Sequence, residues 1–148
     1  DLVRSRGLGD VYKRQVQSLL NQKAKINLNV QVPKVRQDKI NGFVKRLENE
    51  DFEDIKWILK APIDTCTKSI VDEMIEKNAK FHFDAGLVPK IIRKETGKCC
   101  RWCKNISGTY KYPEVPQDVY RRHNNCECTV EYFPKDAKTK QNVHTKKN

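Results

Sequence analysis

The sequence predicts an α+β chain, in which an N-terminal helical half is followed by a small half rich in β-structure. Apolar residues recur at spacings of three and four up to about Gly86, as they do on helix faces. Residues 129–133 instead alternate between apolar and polar side chains, as strands do. Cysteines cluster between these patterns. We therefore divide the chain into a leader (1–15), a helical region (16–86), a β-rich region (87–134) and a basic tail (135–148).

The leader, DLVRSRGLGDVYKRQ, resembles a translated sequencing adapter of the kind found at the ends of assembled metagenomic fragments. We expect residues 1–15 to be artefactual and the native reading to begin near Val16, in a gene truncated upstream. The leader carries four basic and two acidic residues, so its removal lowers the net charge from +11 to +9. The basic character of the chain does not depend on it.

The helical region shows several short apolar patterns. Residues 16–26 predict a short helix, and residues 27–33 predict an extended linker. The next helix is predicted from four apolar residues at helical spacing: Ile40, Phe43, Val44 and Leu47.

Two further helices are predicted on either side of a proline. The first carries Phe52 and should end before Pro62, because the residue that precedes a proline disfavours the helical conformation. The second should begin at Asp64 or Thr65 and stop at Gly86, a typical C-terminal helix residue. Cys66 on this helix is expected to be a small buried side chain.

After Gly86 the pattern becomes that of strands and turns. Strands are predicted over residues 88–93, 106–112 and 129–133, with a helical turn over residues 118–122. The tail that follows carries five lysines and a single acidic residue, Asp136, and we expect it to be disordered or to dock on a partner.

The β-rich region contains the most informative motif, a C-x-x-C followed by H-x-x-C-x-C. Its donors are Cys100, Cys103, His123, Cys126 and Cys128. Zn²⁺ takes four thiolate or imidazole ligands in a tetrahedron, and a two-residue gap lets one turn direct two sulfurs at one ion. We therefore predict a structural Zn²⁺ bound by Cys100, Cys103, Cys126 and either His123 or Cys128.

Two parts of this assignment stay open. His123 is either a ligand or a hydrogen-bonding neighbour that orients the ligands. Cys99 could replace Cys100, although only Cys100 has the two-residue gap to Cys103.

Disulfide pairing is the main alternative, because the chain has six cysteines. No secretory signal is recognisable near the start of the sequence, so we expect a reduced setting inside a cell and no secretion. Clustered cysteines in that setting indicate metal ligands, with redox or catalytic thiols as a further alternative.

The composition favours an anionic partner and a small core. Lys and Arg number 30 against 19 Asp and Glu, and 37% of residues are hydrophobic. Such a small polar chain usually needs a staple such as a metal ion. We expect the basic tail to bind DNA without sequence specificity. The sequence contains no run of eighteen apolar residues, so we expect no membrane partner.

An interleaved cluster of aromatic and basic residues has two interpretations. It comprises Tyr110, Lys111, Tyr112, Tyr120, Arg121 and Arg122. These side chains could stack bases and bind phosphates, or the tyrosines could pack over the metal loop and leave the arginines in solvent.

The sequence predicts no enzyme. A zinc deaminase requires the motifs H-x-E and P-C-x-x-C. In this chain Asp84 stands in place of the glutamate, and Lys98-Cys99 stands in place of the proline. Thiolates that share a metal ion are also not free nucleophiles. A small nuclease or toxin domain is the weaker alternative.

The stretch GKCCRWCKNISGTYKYPEVPQDVYRRHNNCECTVEYFP resembles the Mu-F-like head-morphogenesis family, which comprises minor capsid proteins of phages and prophages. The positions that match its signature are Cys100, Cys103, Gly108, His123, Cys126 and Cys128. The family usually has Pro and Arg where this chain has Asn124 and Glu127. The upstream stretch SIVDEMIEKNAKFHFDAGLVPKIIRK and the ending QNVHTKK are also similar to such proteins.

The resemblance implies a structural protein at the portal of a phage head, which acts in head assembly or DNA delivery. Its partners would be portal or other capsid proteins, and its location the virion or the host cytoplasm. A nucleic-acid-binding zinc module is the alternative function.

Overall fold

The computed structural model describes residues 2–34 and 36–135, and of residues 2–10 and 12 it describes the backbone alone. The helices are α1 (Leu2–Lys23), α2 (Gln37–Asn49), α3 (Phe52–Asp84) and α4 (Arg101–Ile106), and a 3₁₀ turn spans Gln117–Tyr120. The strands are β1 (Lys90–Lys94), β2 (Gly108–Lys111) and β3 (Thr129–Phe133). The predicted α+β class is confirmed. The predictions for the tail fall on residues 136–148, which lie outside the described residues.

Helix α1 is longer than the helix predicted over residues 16–26, because it begins at Leu2. The assignment of residues 1–15 to a leader stays a prediction. Residues 27–33, predicted as an extended linker, form neither helix nor strand, and their extended conformation stays a prediction. This segment is held against α3 by the buried Asn78, whose side chain accepts from the backbone N–H of Gln31 at 3.0 Å and donates to its carbonyl at 2.8 Å.

The predicted break at Pro62 is wrong, because α3 continues through it. The proline lacks an N–H group and so removes one helical hydrogen bond. A break would instead expose the unpaired groups of two new helix ends, and each end leaves up to four without a partner. The start of α3 is capped by Asp51, which accepts from the N–H of Glu53 at 2.9 Å.

The predicted stop at Gly86 is confirmed. Its φ of +90° continues the chain in the left-handed region. The N–H of Gly86 donates to the carbonyl of Phe83 at 2.9 Å, and that of Leu87 to the carbonyl of His82 at 3.0 Å. These bonds satisfy two of the last carbonyls of α3.

The three strands form one antiparallel sheet in the order β2-β1-β3. The strand predicted over residues 129–133 is confirmed at both ends, and the other two are shorter than predicted. Helix α4 was not predicted. The alternation in β3 was only partly right, since Glu131 is buried as well and pairs with Lys94.

The main core lies between the second half of α3, the sheet and the 3₁₀ turn. Its buried residues are Ile75, Ala79, Ile91, Val119, Tyr120, Val130 and Tyr132. Tyr110 and Tyr112 pack against this core, so the tyrosines do serve packing, but they pack on the sheet and not over the loops that carry the cysteines. Among the described residues, none of the helices combines the length and the apolar character needed to cross a bilayer.

Candidate metal centre

The five predicted donors lie in two segments that meet at one edge of the sheet. Strand β1 ends at Lys94, which pairs with Thr129 at the start of β3. The chain that leaves β1 and the chain that enters β3 therefore run side by side. The first segment carries Cys100 and Cys103, and the second carries His123, Cys126 and Cys128.

The first segment is shaped by α4. Gly97, with φ of +65°, turns the chain after β1, and Cys100 then caps α4. Its sulfur accepts from the N–H of Cys103 at 3.4 Å. Cys103 follows on the first turn of the helix and is 1% exposed. The two sulfurs thus face the same side of the helix start.

The second segment is a tight turn. The N–H of Cys126 donates to the carbonyl of His123 at 3.2 Å, and Asn125 between them has φ of +60°. Asparagine tolerates this left-handed conformation better than most residues do. The turn brings His123 and Cys126 to the same side as α4.

The donor atoms form two groups of three that share Cys103. One group contains Cys100, Cys103 and His123, the other Cys103, Cys126 and Cys128, and within each group the atoms lie within 4.8 Å of one another. The Sγ atoms of Cys103 and Cys126 are 3.8 Å apart. Two sulfurs on one tetrahedral Zn²⁺ would lie about 3.8 Å apart, given bonds of about 2.3 Å. The spacing of Cys103 and Cys126 therefore fits two ligands of one tetrahedral ion.

His123 presents a ring nitrogen to the sulfurs. Its Nε2 lies 3.3 Å from the Sγ of Cys100 and 3.0 Å from that of Cys103. Its Nδ1 lies 2.7 Å from the carbonyl oxygen of Asn124. An Nδ1–H that donates to a carbonyl leaves the Nε2 lone pair available for a metal ion.

Two arginines surround the sulfur of Cys126. Arg93 is 1% exposed, and its guanidinium donates to that sulfur at 3.5 Å. Arg122 contacts the same sulfur at 4.0 Å and donates to the carbonyl of Cys128 at 2.6 Å. Arg122 also forms an ion pair with Asp72 of α3, in which both side chains are fully buried.

The surroundings shift the thiol pKa values in opposite directions. The N–H of Cys103 lowers the pKa of Cys100. Burial raises the pKa of Cys126, but the N–H of Cys128 and the two arginines outweigh it, so the pKa is lowered. Burial raises the pKa of Cys103, and its neighbouring thiols add to the effect. Two of the three thiols thus favour the anion that a metal ion requires.

Cys99 and Cys66 lie outside both donor groups. The thiol of Cys99 donates to Glu95 at 2.8 Å, and this contact raises its pKa to about 11. Cys66 is half-buried, so its prediction as a buried side chain is wrong: it faces the gap between α2 and α3.

The positions of Arg93 and Arg122 beside the sulfur of Cys126 were not predicted from the sequence. Arg93 lies two residues after the buried Ile91 and therefore on the same face of β1, a signal that could have been used. Arg122 was expected in solvent or on phosphates, and that expectation is wrong, because Asp72 binds it inside the protein. Arg121 is exposed and pairs with Asp118 at 3.0 Å.

No family model matches the chain, and the comparisons with curated proteins and with solved structures also find no match. Independently of these comparisons, the structure shows Cys and His groups that could hold a metal ion.

Proposed function

We propose that this chain is a non-enzymatic structural module of a phage minor head protein, in which one Zn²⁺ staples the C-terminal half. The observation that carries the proposal is the convergence of the five donors of the C-x-x-C and H-x-x-C-x-C motifs. The wider role, in head morphogenesis at the portal, draws on the resemblance of the same motif to the Mu-F-like family.

Zinc is the metal that suits these donors best. One group offers two sulfurs and an imidazole nitrogen, the other offers three sulfurs, and neither contains a carboxylate. Soft thiolates favour zinc over magnesium, calcium or manganese, and Zn²⁺ accepts a tetrahedral arrangement without electronic preference. Cys103, Cys126 and Cys128 are all buried, which favours a structural ion over a catalytic one.

A staple has a clear physical task here. The segments that carry the donors contain little regular structure apart from α4; one follows β1 and the other leads into β3. A metal ion that binds both segments would fix them against each other, and its binding free energy would become folding free energy.

The assembly role is tested by co-expression with the portal protein encoded nearest to this gene, followed by affinity purification at high salt. We expect wild-type protein to co-purify with portal, whereas Cys103→Ser should not. Cys66→Ser is the matched control and should behave as wild type does. Flanking genes that encode neither portal nor scaffold proteins, together with no co-purification, would contradict the assembly role.

A nucleic-acid-binding role is the second candidate, and a groove beside the metal loop favours it. The groove has a volume of about 640 Å³ and is lined by Lys39 and Arg46 of α2 and by His123 and Asn124. No carboxylate lines it, and neither Lys39 nor Arg46 forms an ion pair within the described part of the chain. A salt-dependent gel shift that Lys39→Gln and Arg46→Gln weaken would favour this role.

A further inference from the structure

Arg93 is a buried cation that lacks a carboxylate partner among the described residues. Its two NH1 bonds go to the carbonyls of Val119 and Arg121, at 2.7 and 2.8 Å. Its NH2 group faces the sulfur of Cys126, and its Nε has no hydrogen-bond partner. The ring of Trp102 also lies over the guanidinium, with its centroid 5.5 Å from Cζ. Burial of a charge without an ionic partner is costly, so a negative charge close to this guanidinium would stabilise it.

The neighbouring Arg122 cannot share its anion. Its guanidinium is already paired with Asp72 through two bonds, and both side chains are fully buried. Of the two buried guanidinium groups, only that of Arg122 has a carboxylate partner among the described residues. The excess of one positive charge lies beside Cys126, because both arginines contact that sulfur.

We propose that Arg93 and Arg122 are positioning residues that hold Cys126 as a metal-bound thiolate, and that the charge of Arg93 requires a metal centre of net negative charge. This inference rests on the proposed zinc site. Zn²⁺ with two thiolates would be neutral, whereas three thiolates and one imidazole carry one negative charge. That charge balances Arg93, so we assign three thiolates including Cys126 and the imidazole of His123 to the centre.

The N–H groups of the arginines also have a chemical consequence. A hydrogen bond to a metal-bound thiolate withdraws electron density from the sulfur and lowers its reactivity towards electrophiles. Outer-shell partners of this kind affect metal affinity about 10- to 100-fold. The arginines should therefore make the centre both tighter and less reactive.

The test compares Arg93→Met and Arg93→Lys with wild-type protein. Lys90→Met is the matched control, since it removes one positive charge from the same strand, where Lys90 lies over the ring of Phe133 at 4.6 Å. Zinc affinity is measured by competition with a chelator. The reactivity of the thiolates is measured as the rate at which iodoacetamide alkylates the zinc-loaded protein. The number of thiolate ligands is read from the charge-transfer absorbance of the cobalt-substituted protein.

We expect Arg93→Met to bind zinc about 10- to 100-fold more weakly and to be alkylated faster. Arg93→Lys keeps the charge but loses the forked donor geometry. Its zinc affinity should therefore lie between those of wild type and Arg93→Met, while its alkylation should still be faster than that of wild type. Lys90→Met should match wild type, and cobalt absorbance should correspond to three thiolates.

An unchanged affinity and alkylation rate in Arg93→Met would overturn the inference, as would cobalt absorbance of only two thiolates. If wild type still bound one zinc ion, the proposed function would stand without it. If wild type bound none, both would fail. Should Arg93→Met not fold, Arg93→Lys decides the matter, and an alkylation rate equal to that of wild type then overturns the inference.

Discussion

The two ends of the molecule are stabilised in different ways. Helix α2 has no buried residue, and at the start of α3 Phe52 and Trp57 are 59% and 72% exposed. In the C-terminal half, Ile91, Val130, Tyr132 and Arg93 are each at most 1% exposed. The first region buries few side chains, Ile55 and Leu59 among them, whereas the second depends on contacts between segments that are distant in sequence.

The second half of α3 joins the two regions. It contributes Ile75 and Ala79 to the core of the sheet, and Asp72 to the ion pair with Arg122. His82 contacts the hydroxyl of Tyr132, and Lys68 donates to the carbonyl of Cys126 at 3.2 Å. The C-terminal half therefore folds against this helix, and the comparison can be sharpened by variants on either side of it.

The largest effect is expected for Cys103→Ser. Cys103 belongs to both donor groups, so its loss should weaken metal binding and with it the folding of the C-terminal half, by several kcal/mol. Cys66→Ser, the matched control on α3, should cost only about 1 kcal/mol. Thermal melts of the two variants under reducing conditions compare them. Equal damage would contradict the structural role of the cluster.

The next effect is expected for Asp72→Asn. It leaves the guanidinium of Arg122 buried without its carboxylate, which typically costs about 3–5 kcal/mol. Asp118→Asn is the control, because the pair of Asp118 with Arg121 is exposed and such pairs contribute about 1 kcal/mol or less. Urea unfolding measures both. If Asp72→Asn lowered the free energy of unfolding as little as Asp118→Asn does, the buried pair would not hold α3 against the segment that carries Cys126 and Cys128.

A pH-dependent effect of up to about 3 kcal/mol is expected from His82. Burial lowers its pKa from 6.5 to about 4. The unfolded chain therefore binds a proton at a higher pH than the folded chain does. The stability that neutral His82 contributes is complete above about pH 6.5 and is lost as the pH falls towards 4.

Protons also compete with the metal ion for cysteine in this range. The imidazole resonance of His82 separates the two effects in an NMR titration. A midpoint near 4 is expected, and a midpoint near 6.5 would show that the ring is not buried in a neutral form.

The smallest effect is expected for Trp57→Ser. Its side chain is exposed, so the free energy of unfolding should change by no more than about 0.5 kcal/mol. Ile91→Ala, which truncates a fully buried side chain of β1, should cost about 2–5 kcal/mol. Urea unfolding of both variants tests the contrast. A large loss in Trp57→Ser would mean that the start of α3 is covered in solution.

The same contrast explains what the sequence could predict. Helix α2, the stop at Gly86 and strand β3 follow from local patterns, and all three were predicted. Helix α3 was divided wrongly because the local preference at Pro62 was outweighed by the continuity of a 33-residue helix. Local rules do not include that cooperative gain.

The candidate site shows the same division. Motif spacing predicted the five donors, which the structure brings together. The burial of Arg122 depends on Asp72, fifty residues earlier, and no periodic pattern links the two positions. The charge of Arg122 predicts a position in solvent. Its partner Asp72 can be identified only when α3 is seen to pack against the segment that carries Cys126 and Cys128.

The central claim is that a metal ion holds the C-terminal half together, and metal analysis combined with hydrogen exchange tests it most directly. Reduced, purified protein should contain one zinc ion per chain. Removal of the ion by a chelator should abolish amide protection in β1 and β3, while α1 and the start of α3 keep theirs. Folded protein without metal, or a sheet whose protection survives chelation, would contradict the claim.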